Sequence, residues 1–397
     1  MSNVERFIRY AKIDTQSNDK TGTTPSTEKQ KNLSKQLVKE LKELGLEDAY
    51  MDEYGIVYAH LKGEGDKIGL NAHIDTALEV TGTNVNPQIQ RNYDGGDIVL
   101  NEQYTFSPKQ FPILNRFKGC DLVTTDGNTL LGADDKAGIA IIMSALEYFH
   151  NHPEVKHHNI SVAFTVDEEI GEGALHFSTK KMDADYAFTV DGANIDGVDY
   201  ENFNAKGFEL KIQGVSVHPG EGKGKLINAI LVLNEIINLM PKNDTPFEAG
   251  YDDGYWHMNN VNGSSDNLIA EGILRDFCKE KLENRVEIIK KNCQLMMEKY
   301  PGISIKYEFK DQYENMRPYV DKNPKPLEVA KAALEKNGLS PKSTKIRGGT
   351  DGATFSKMGL VTPNLGTGSY NHHGRFEFLV IQEFEKMIQV VIDILKI

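Results

Sequence analysis

The spacing of apolar residues predicts two amphipathic helices near the N-terminus. The first covers residues 4–13, and the second carries an apolar stripe within residues 33–44. Ser26 is predicted to cap the second helix, because a serine hydroxyl can accept a hydrogen bond from a free backbone amide of the first turn. Gly45 is predicted to end it.

Strand-like and helical patterns then alternate along the chain. The predicted segments are strands at 50–61, 67–72, 159–166 and 186–190, and helices at 135–149 and 174–179. Such an alternation predicts an α/β fold with a mostly parallel sheet and helices on both faces.

The pattern changes near residue 203. From there, strand, helix, two strands, helix and strand follow one another, which predicts a separate α+β domain with βαββαβ order inserted at 205–316. Residues 1–204 and 317–397 would form the domain that it interrupts. In its last part, residues 348–352 predict a sharp turn and residues 381–397 a final helix.

The composition of the chain argues against some classes of binding partner. The 397-residue chain has a net charge of −13, which argues against nucleic acid or an anionic membrane as a partner. No window approaches 18 apolar residues, so no membrane span is predicted. Three scattered cysteines without a CxxC motif predict free thiols in a reducing cytoplasm. The N-terminus has no apolar core typical of a signal peptide.

Histidines and acids follow several of the predicted strands. Ligands bind at the carboxyl ends of strands in open α/β sheets, and carboxylates gathered there repel one another unless a cation offsets them. Histidines together with carboxylates suit zinc, or cobalt and manganese, better than calcium or magnesium. The candidate residues are His73, Asp134, Glu168, Glu169, Asp191 and His373.

Each motif alone has a simpler explanation. A histidine that ends a strand is more often hydrogen-bonded than metal-bound, and Asp134-Asp135 could merely cap a helix. Most Glu-Glu pairs are solvated, but one of Glu168 and Glu169 could bind metal while the other acts as a general base. The His73-x-Asp75 spacing places both side chains on one face of a strand, where Asp75 could orient the imidazole.

The ordered set of motifs resembles a known family. The motifs are Asn71-Ala-His73-Ile-Asp75-Thr76, Thr125-Asp-Gly-Asn-Thr-Leu-Leu-Gly-Ala-Asp134-Asp135-Lys-Ala-Gly138, Phe164-Thr-Val-Asp-Glu168-Glu169-Ile-Gly, Thr189-Val-Asp191-Gly192, Val217-His218-Pro-Gly220, Arg347-Gly-Gly-Thr-Asp351-Gly352 and His373-Gly374. Together they resemble the two-zinc metallopeptidase family that includes aminoacylase and carboxypeptidase G, and within it the tripeptide aminopeptidases. The resemblance covers nearly the whole chain.

The resemblance implies two zinc ions per chain. His73, Asp134 and Asp191 would hold one ion, and Asp134, Glu169 and His373 would hold the other. His373 is preferred to its neighbour His372 because the family ligand directly precedes a glycine, although the sequence does not exclude His372. The peptide bond after Asp134 would be cis.

The resemblance also implies the remaining roles. Glu168 would be the general base for the water held between the ions, and Asp75 would clamp His73. His218, from the inserted lid domain, would stabilise the oxyanion. Arg275 and Arg347 are candidates for the substrate carboxylate, with a structural or surface ion pair as the alternative.

The implied activity is removal of the N-terminal residue from small peptides, chiefly tripeptides. An N-acyl-amino-acid deacylase or a dipeptidase of the same family is the main alternative. A two-metal phosphoesterase is disfavoured because few arginines lie near the motifs, and a non-enzymatic metal carrier is a further alternative. The resemblance also implies a possible homodimer through the lid domain.

Overall fold

The computed structural model describes residues 2–397, which divide into two compact units. The first unit comprises the residues up to Tyr200 together with Met316–Thr344 and Thr350–Ile397, and the second comprises Glu201–Asn315 with Lys345–Gly349. The last of these segments had been assigned to the first domain on sequence. It groups with the second unit because its strand pairs in parallel with a strand that starts at Glu201.

The α-helices of the described residues are α1 (Asn3–Ala11), α2 (Gln30–Glu43), α3 (Ala133–Asn151), α4 (Thr179–Met182), α5 (Ala229–Asn238), α6 (Lys279–Lys299), α7 (Arg317–Val320), α8 (Lys325–Lys336), α9 (Asp351–Lys357) and α10 (Ile381–Leu395). None of them combines the length and apolar character that a membrane span requires.

The strands of the first unit are β1 (Tyr50–Met51), β2 (Val57–Leu61), β3 (Lys67–His73), β4 (Gln88–Gln90), β5 (Ile98–Val99), β6 (Thr105–Phe106), β7 (Leu122–Thr124), β8 (Asn159–Thr165), β9 (Tyr186–Gly192), β10 (Val198–Asp199), β17 (Asn364–Gly366), β18 (Ser369–Tyr370) and β19 (Phe378–Val380). Those of the second unit are β11 (Glu201–Asn202), β12 (Asn204–Gln213), β13 (Tyr255–Gly263), β14 (Asn267–Asp276), β15 (Ser304–Tyr313) and β16 (Lys345–Ile346).

A seven-stranded sheet in the order β1-β2-β8-β3-β9-β17-β10 forms the centre of the first unit. Its four middle strands, from β8 to β17, are parallel, and antiparallel strands complete both edges. The sheet is therefore mixed, with the predicted parallel arrangement at its centre. The parallel strands bring their carboxyl ends to one edge, as the α/β class requires.

Helix α3 packs on β3 and β9, and it lies close to the sheet at Gly138. A Cβ atom at residue 138 would lie 1.9 Å from the backbone oxygen of Val190. Glycine is therefore required at this position, because any side chain would push the start of α3 away from β9, the strand that contains Asp191.

A four-stranded sheet of order β18-β19-β7-β4 extends the first unit. It is built from the segment after β3 and from the C-terminal strands. An aromatic cluster supports it, comprising Tyr93, Phe106, Phe117, Tyr370 and Phe378 among its buried members. The cluster fixes the chain that leads to His372 and His373, because these histidines lie two and three residues after Tyr370, the last residue of β18.

The second unit has a four-stranded antiparallel sheet of order β13-β14-β12-β15. Helices α5 and α6 pack against it, and a separate apolar core lies between them. The elements run in the order strand, helix, two strands, helix and strand.

Three local predictions were wrong. Ser26 does not cap α2, because its hydroxyl binds the carboxylate of Asp167 instead. Residues 174–178 are not helical, and the short α4 begins only at Thr179. Residues 348–352 do not form only a turn, because α9 begins at Asp351.

A candidate metal centre at the strand ends

The predicted ligands reach one place from five segments of the first unit. His73 ends β3 and Asp191 lies near the end of β9, whereas the two glutamates lie in a short 3-10 turn after β8. Asp134 lies at the start of α3, and His373 follows β18. Because β3, β8 and β9 are parallel neighbours, these side chains converge at one edge of the sheet.

His73 is buried, and its two ring nitrogens have different partners. Nδ1 lies 3.1 Å from the backbone oxygen of Asp75 and 3.4 Å from its Oδ1. A carbonyl oxygen can only accept, so Nδ1 carries the proton of the neutral ring. The lone pair of Nε2 then points towards Asp134 Oδ1, 2.9 Å away, and Asp191 Oδ1, 3.6 Å away. This is the arrangement that a metal-binding histidine needs.

The two C-terminal histidines differ in their contacts. His373 Nε2 lies 3.0 Å from Glu169 Oε2 and 3.3 Å from Asp134 Oδ2, so it meets both acids that were predicted to share an ion with it. His372 lies 3.5 Å from Asp134 through Nδ1, but its Nε2 makes a 2.9 Å hydrogen bond with Ser369. The geometry favours His373 as the ligand.

Among residues 2–397, two groups of side chains bring metal-ligand atoms within 4.8 Å of one another: His73 with Asp134 and Glu169, and His73 with Asp135 and Asp191. Asp135 is nevertheless engaged elsewhere, because its carboxylate accepts hydrogen bonds from the backbone amides of His73 and Gly138. The peptide bond between Asp134 and Asp135 is cis, as the resemblance implied. These contacts leave Asp134 better placed than Asp135 to bind an ion.

The electrostatic environment of the acids is unfavourable without a cation. Burial raises the pKa of Glu168 well above its usual range, and the nearby carboxylates of Asp191, Asp351 and Glu169 raise it further. Burial and then the charge of Asp134 raise the pKa of Glu169 to about 8. Excess negative charge in a dry site is the condition that a divalent cation relieves.

The same acids raise the pKa of the two predicted histidine ligands. Burial disfavours the charged form of His73, but hydrogen bonds with Asp134, Asp191 and Asp75 outweigh it and raise its pKa well above the usual value. The pKa of His373 rises to about 12, through Asp134 first and then Glu169. A metal ion competes with protons for such nitrogens, because metal binding to a histidine releases its proton.

The residues present fit a divalent metal. The Oε1 atom of Glu169 is buried and accepts no hydrogen bond from the described residues. An unpartnered carboxylate oxygen beside imidazole nitrogens and further carboxylates is a donor set that zinc, cobalt or manganese accepts.

Sequence analysis missed Glu377, which holds the Asp134 loop. Its buried carboxylate accepts hydrogen bonds of 2.8 Å from the amides of Leu131 and Gly132, and one of 2.9 Å from the amide of Asp134. The three bonds fix the backbone that presents the predicted shared ligand. The segment Arg375-Phe-Glu377-Phe has no local signal for this role, because the partner lies 243 residues away.

Glu79 was also missed. Its Oε1 lies 3.3 Å from His373 Nδ1, on the opposite side of the ring from Glu169. Glu79 and Asp75 therefore have similar positions. Each carboxylate faces the Nδ1 atom of its histidine, His373 or His73, which is the ring nitrogen that points away from the acidic cluster.

His218, Arg275 and Arg347 belong to the second unit. His218 is exposed, and its Nδ1 accepts a hydrogen bond from the amide of Gly220. Arg275 donates to the backbone oxygens of Lys206 and Leu274 and lies over the ring of Tyr313.

The guanidinium of Arg347 donates to the backbone oxygens of Gly250 and Tyr251 and lies over the rings of Phe203, Tyr251 and Tyr255. The alternative considered for both arginines was a structural or surface ion pair. The contacts described for Arg275 and Arg347 contain no ion pair, and both guanidinium groups bind backbone oxygens instead.

The chain is similar to known peptidases in both sequence and fold. Peptidase T of Clostridium perfringens strain 13 is 46% identical to the chain over 397 residues, which is 99% of this chain and 98% of the relative. The crystal structure of aminopeptidase PepT from Bacillus cereus superposes with a TM-score of 0.78 at 22% identity, over 99% of this chain and 96% of that one.

The YXEP protein of Bacillus subtilis, a dinuclear metal-binding peptidase, superposes with a TM-score of 0.63 at 15% identity, over 99% of this chain and 96% of that one. The sequence model of peptidase family M20/M25/M40 matches residues 123–397. The chain therefore belongs to peptidase family M20/M25/M40.

Proposed function

We propose that the chain is a metal-dependent aminopeptidase that releases the N-terminal residue from tripeptides. The observation that carries this proposal is the convergence of the buried His73 and the partly buried Asp134, Glu169 and Asp191 beside a further acid, Glu168. Full-length similarity to peptidase T of Clostridium perfringens supports the substrate class.

The metal ligands are assigned on the contacts described above. His73, Asp134 and Asp191 would hold one ion, and Asp134, Glu169 and His373 the other, with Asp134 shared. Zinc is proposed for both ions, because imidazole and carboxylate donors suit it. The dinuclear metal-binding peptidase of Bacillus subtilis supports the number of ions.

When bound, the ions would lower the pKa of a water molecule and polarise the scissile carbonyl. Glu168 is proposed to take the proton from the attacking water and to give it to the leaving amine. Its side chain is mostly buried, and Oε2 lies 4.0 Å from His73 Nε2, so it stands beside the ligand cluster. No backbone amide of the described residues binds its carboxylate, unlike those of Asp75, Asp135 and Glu377.

His218 is proposed to stabilise the negative charge that develops on the carbonyl oxygen. Its Nδ1 accepts the hydrogen bond from Gly220, so the proton of the neutral ring is on Nε2. An N–H group of this kind is the donor that an oxyanion requires. The second unit is thus proposed to be the lid domain of the enzyme.

The substrate carboxylate is proposed to bind Arg275 or Arg347. Both guanidinium groups are held by backbone oxygens and aromatic rings, which would preorganise them for a planar bidentate partner.

A homodimer through the second unit is proposed as the assembly. Exposed apolar side chains on α5, on the residue that follows it and on α6 support it, namely Ile230, Leu231, Leu239 and Leu295. The three cysteines are free in the structure, which is compatible with the proposed reducing cytoplasm.

The substrate class can be tested by comparing two substrates. The zinc-loaded protein should release free methionine from methionyl-glycyl-glycine, and a chelator should stop the release. N-acetyl-methionine should be cleaved much more slowly. Faster cleavage of the acetylated compound would instead identify the N-acyl-amino-acid deacylase of the same family.

A further inference from the structure

The turn that carries Glu168 begins at a residue with left-handed backbone. Asp167 has φ 60° and ψ 28° and is fully buried. Few residue types other than glycine adopt this conformation readily, although aspartate tolerates it better than most. The amides of Glu168 and Glu169 then donate to the two carboxylate oxygens of Asp75. The direction in which Glu168 leaves β8 is thus set at Asp167.

Asp167 is held by Ser26, in the segment before α2, and by Gln30, the first residue of α2. Its Oδ1 accepts hydrogen bonds from Ser26 Oγ and Gln30 Nε2, each 2.5 Å, and its Oδ2 accepts one of 2.7 Å from the Ser26 amide. The backbone amide of Asp167 also donates to Gln30 Oε1 over 3.2 Å. Gln30 therefore binds both the side chain and the main chain of the same residue.

We propose that Gln30 is a positioning residue for the general base: acting through Asp167, its side-chain amide fixes the left-handed turn from which Glu168 extends. The inference rests on the proposed function, in which Glu168 is the base. Among the described residues, the side chain of Gln30 makes hydrogen bonds to Ser26, Thr27 and Asp167, and none to the predicted metal ligands or to Glu168, so its effect is transmitted through the turn.

Packing alone does not explain a buried glutamine at this point. Helix α2 already buries Leu33, Leu37 and Leu41 against the rest of the first unit. The two functional groups of the Gln30 amide match the acceptor and the donor that Asp167 presents, and an apolar residue of equal length could fill the same space.

The first test replaces Gln30 by methionine, which keeps the length of the side chain and removes both hydrogen bonds. We expect kcat on a tripeptide to fall about 10-fold to 100-fold, the usual effect of losing a residue that orients a functional group. KM and the content of bound zinc should stay within about twofold of the unaltered protein, because neither substrate contacts nor metal ligands are changed.

Ser34→Ala is the matched control. Ser34 lies one helical turn further along α2, is equally buried and donates to the backbone oxygen of Gly55 over 2.8 Å. The control therefore also loses one buried hydrogen bond of α2, but one that involves neither Asp167 nor Ser26, and kcat should be unchanged.

A rescue experiment uses the exchange of donor and acceptor. In Gln30→Glu the side chain loses its donor and faces a second carboxylate, so kcat should fall. Adding Asp167→Asn restores a donor opposite an acceptor and returns the pair to a single negative charge. The double variant should recover kcat to within about threefold of the unaltered protein, in line with a direct coupling between the two side chains.

Hydrogen exchange of the peptide 164–172 gives a readout that does not depend on activity. The amides of Glu168 and Glu169 should exchange faster in Gln30→Met and at the original rate in Ser34→Ala. An unchanged kcat in Gln30→Met, an equal fall in Ser34→Ala, a proportional loss of zinc, or failure of the rescue would each overturn the inference. Lack of tripeptide cleavage by the unaltered protein would instead refute the proposed function.

Discussion

The backbone amide of Glu168 donates to Oδ1 of Asp75 over 3.0 Å, and the next amide, that of Glu169, donates to Oδ2 over 3.2 Å. Oδ1 also lies 3.4 Å from Nδ1 of His73. One buried carboxylate therefore connects the strand end that presents the predicted histidine ligand with the turn that presents the predicted base. Sequence analysis had expected Asp75 to orient only the histidine.

Asp75→Asn should disturb both functions at once. One carboxylate oxygen becomes an NH2 group, which faces a backbone N–H and can no longer accept its hydrogen bond. We expect kcat to fall about 10-fold to 100-fold and zinc to bind more weakly by a similar factor. Steady-state kinetics and competition with a chromogenic chelator measure the two effects. Asp48→Asn, at an exposed aspartate that contacts His60, is the control, and an equal effect there would contradict the account.

Glu377→Gln should weaken metal binding without touching any predicted ligand. The carboxylate accepts three backbone hydrogen bonds in the loop that ends at Asp134, and an amide cannot accept them all because one of its ends is a donor. Loss of a charged hydrogen bond in a buried site costs about 1.5–3 kcal/mol. Chemical denaturation should show a loss of that size, and zinc titration should show a higher Kd.

The control for this change is Glu383→Gln. Glu383 is a partly buried glutamate nearby in the chain whose carboxylate accepts a hydrogen bond from the Tyr370 hydroxyl. It should leave the Kd for zinc unchanged. A Glu377 variant with the original Kd would show that the three backbone hydrogen bonds do not govern the geometry of Asp134.

Removing the metal should lower the thermal stability of the protein. The acids of the site repel one another when no cation offsets their charge. In addition, an ion that binds only the folded state stabilises that state. At a free zinc concentration about 1,000 times Kd, the gain is about 4.1 kcal/mol. Scanning calorimetry with a chelator and then with added zinc should show Tm fall and recover. A Tm that does not respond to zinc would contradict the assigned site.

Substitution of the two arginines should separate substrate binding from structure. If Arg347 binds the substrate carboxylate, Arg347→Lys should raise KM for a tripeptide about 10-fold and leave KM for the tripeptide amide unchanged, because lysine cannot form the planar bidentate contact. Arg275→Lys is the matched variant at the other candidate. Equal effects on acid and amide substrates would show that the residue serves only to anchor backbone.

The sequence predicted those residues of the candidate site that have a recognisable local pattern. His73 and Asp191 lie at or near the ends of mostly buried strands, and Asp134 and Glu168 follow strands in the chain, so their convergence followed from the expectation of a parallel sheet. The fold class was confirmed for the same reason, since the four middle strands are parallel. The roles of these residues in catalysis stay predictions.

The supporting contacts could not be predicted because they join distant residues. Ser26 has the pattern of a helix cap, yet its hydroxyl binds Asp167, 141 residues away, and this contact outweighs the local preference. Glu377 and Gln30 have no periodicity or motif of their own. Helix α9 was missed because Gly348, Gly349 and Gly352 favour a turn, whereas burial of Ala353 and Phe355 stabilises the helix.

The most direct test of the proposed function compares the unaltered protein with Glu168→Gln, both loaded with zinc. Zinc content is measured by mass spectrometry, and release of free methionine from methionyl-glycyl-glycine is measured in the same samples. The account predicts two zinc ions per chain in both proteins and a fall in kcat of at least about 100-fold in the variant, the usual contribution of a general base. A variant that keeps both ions and the original kcat would contradict it.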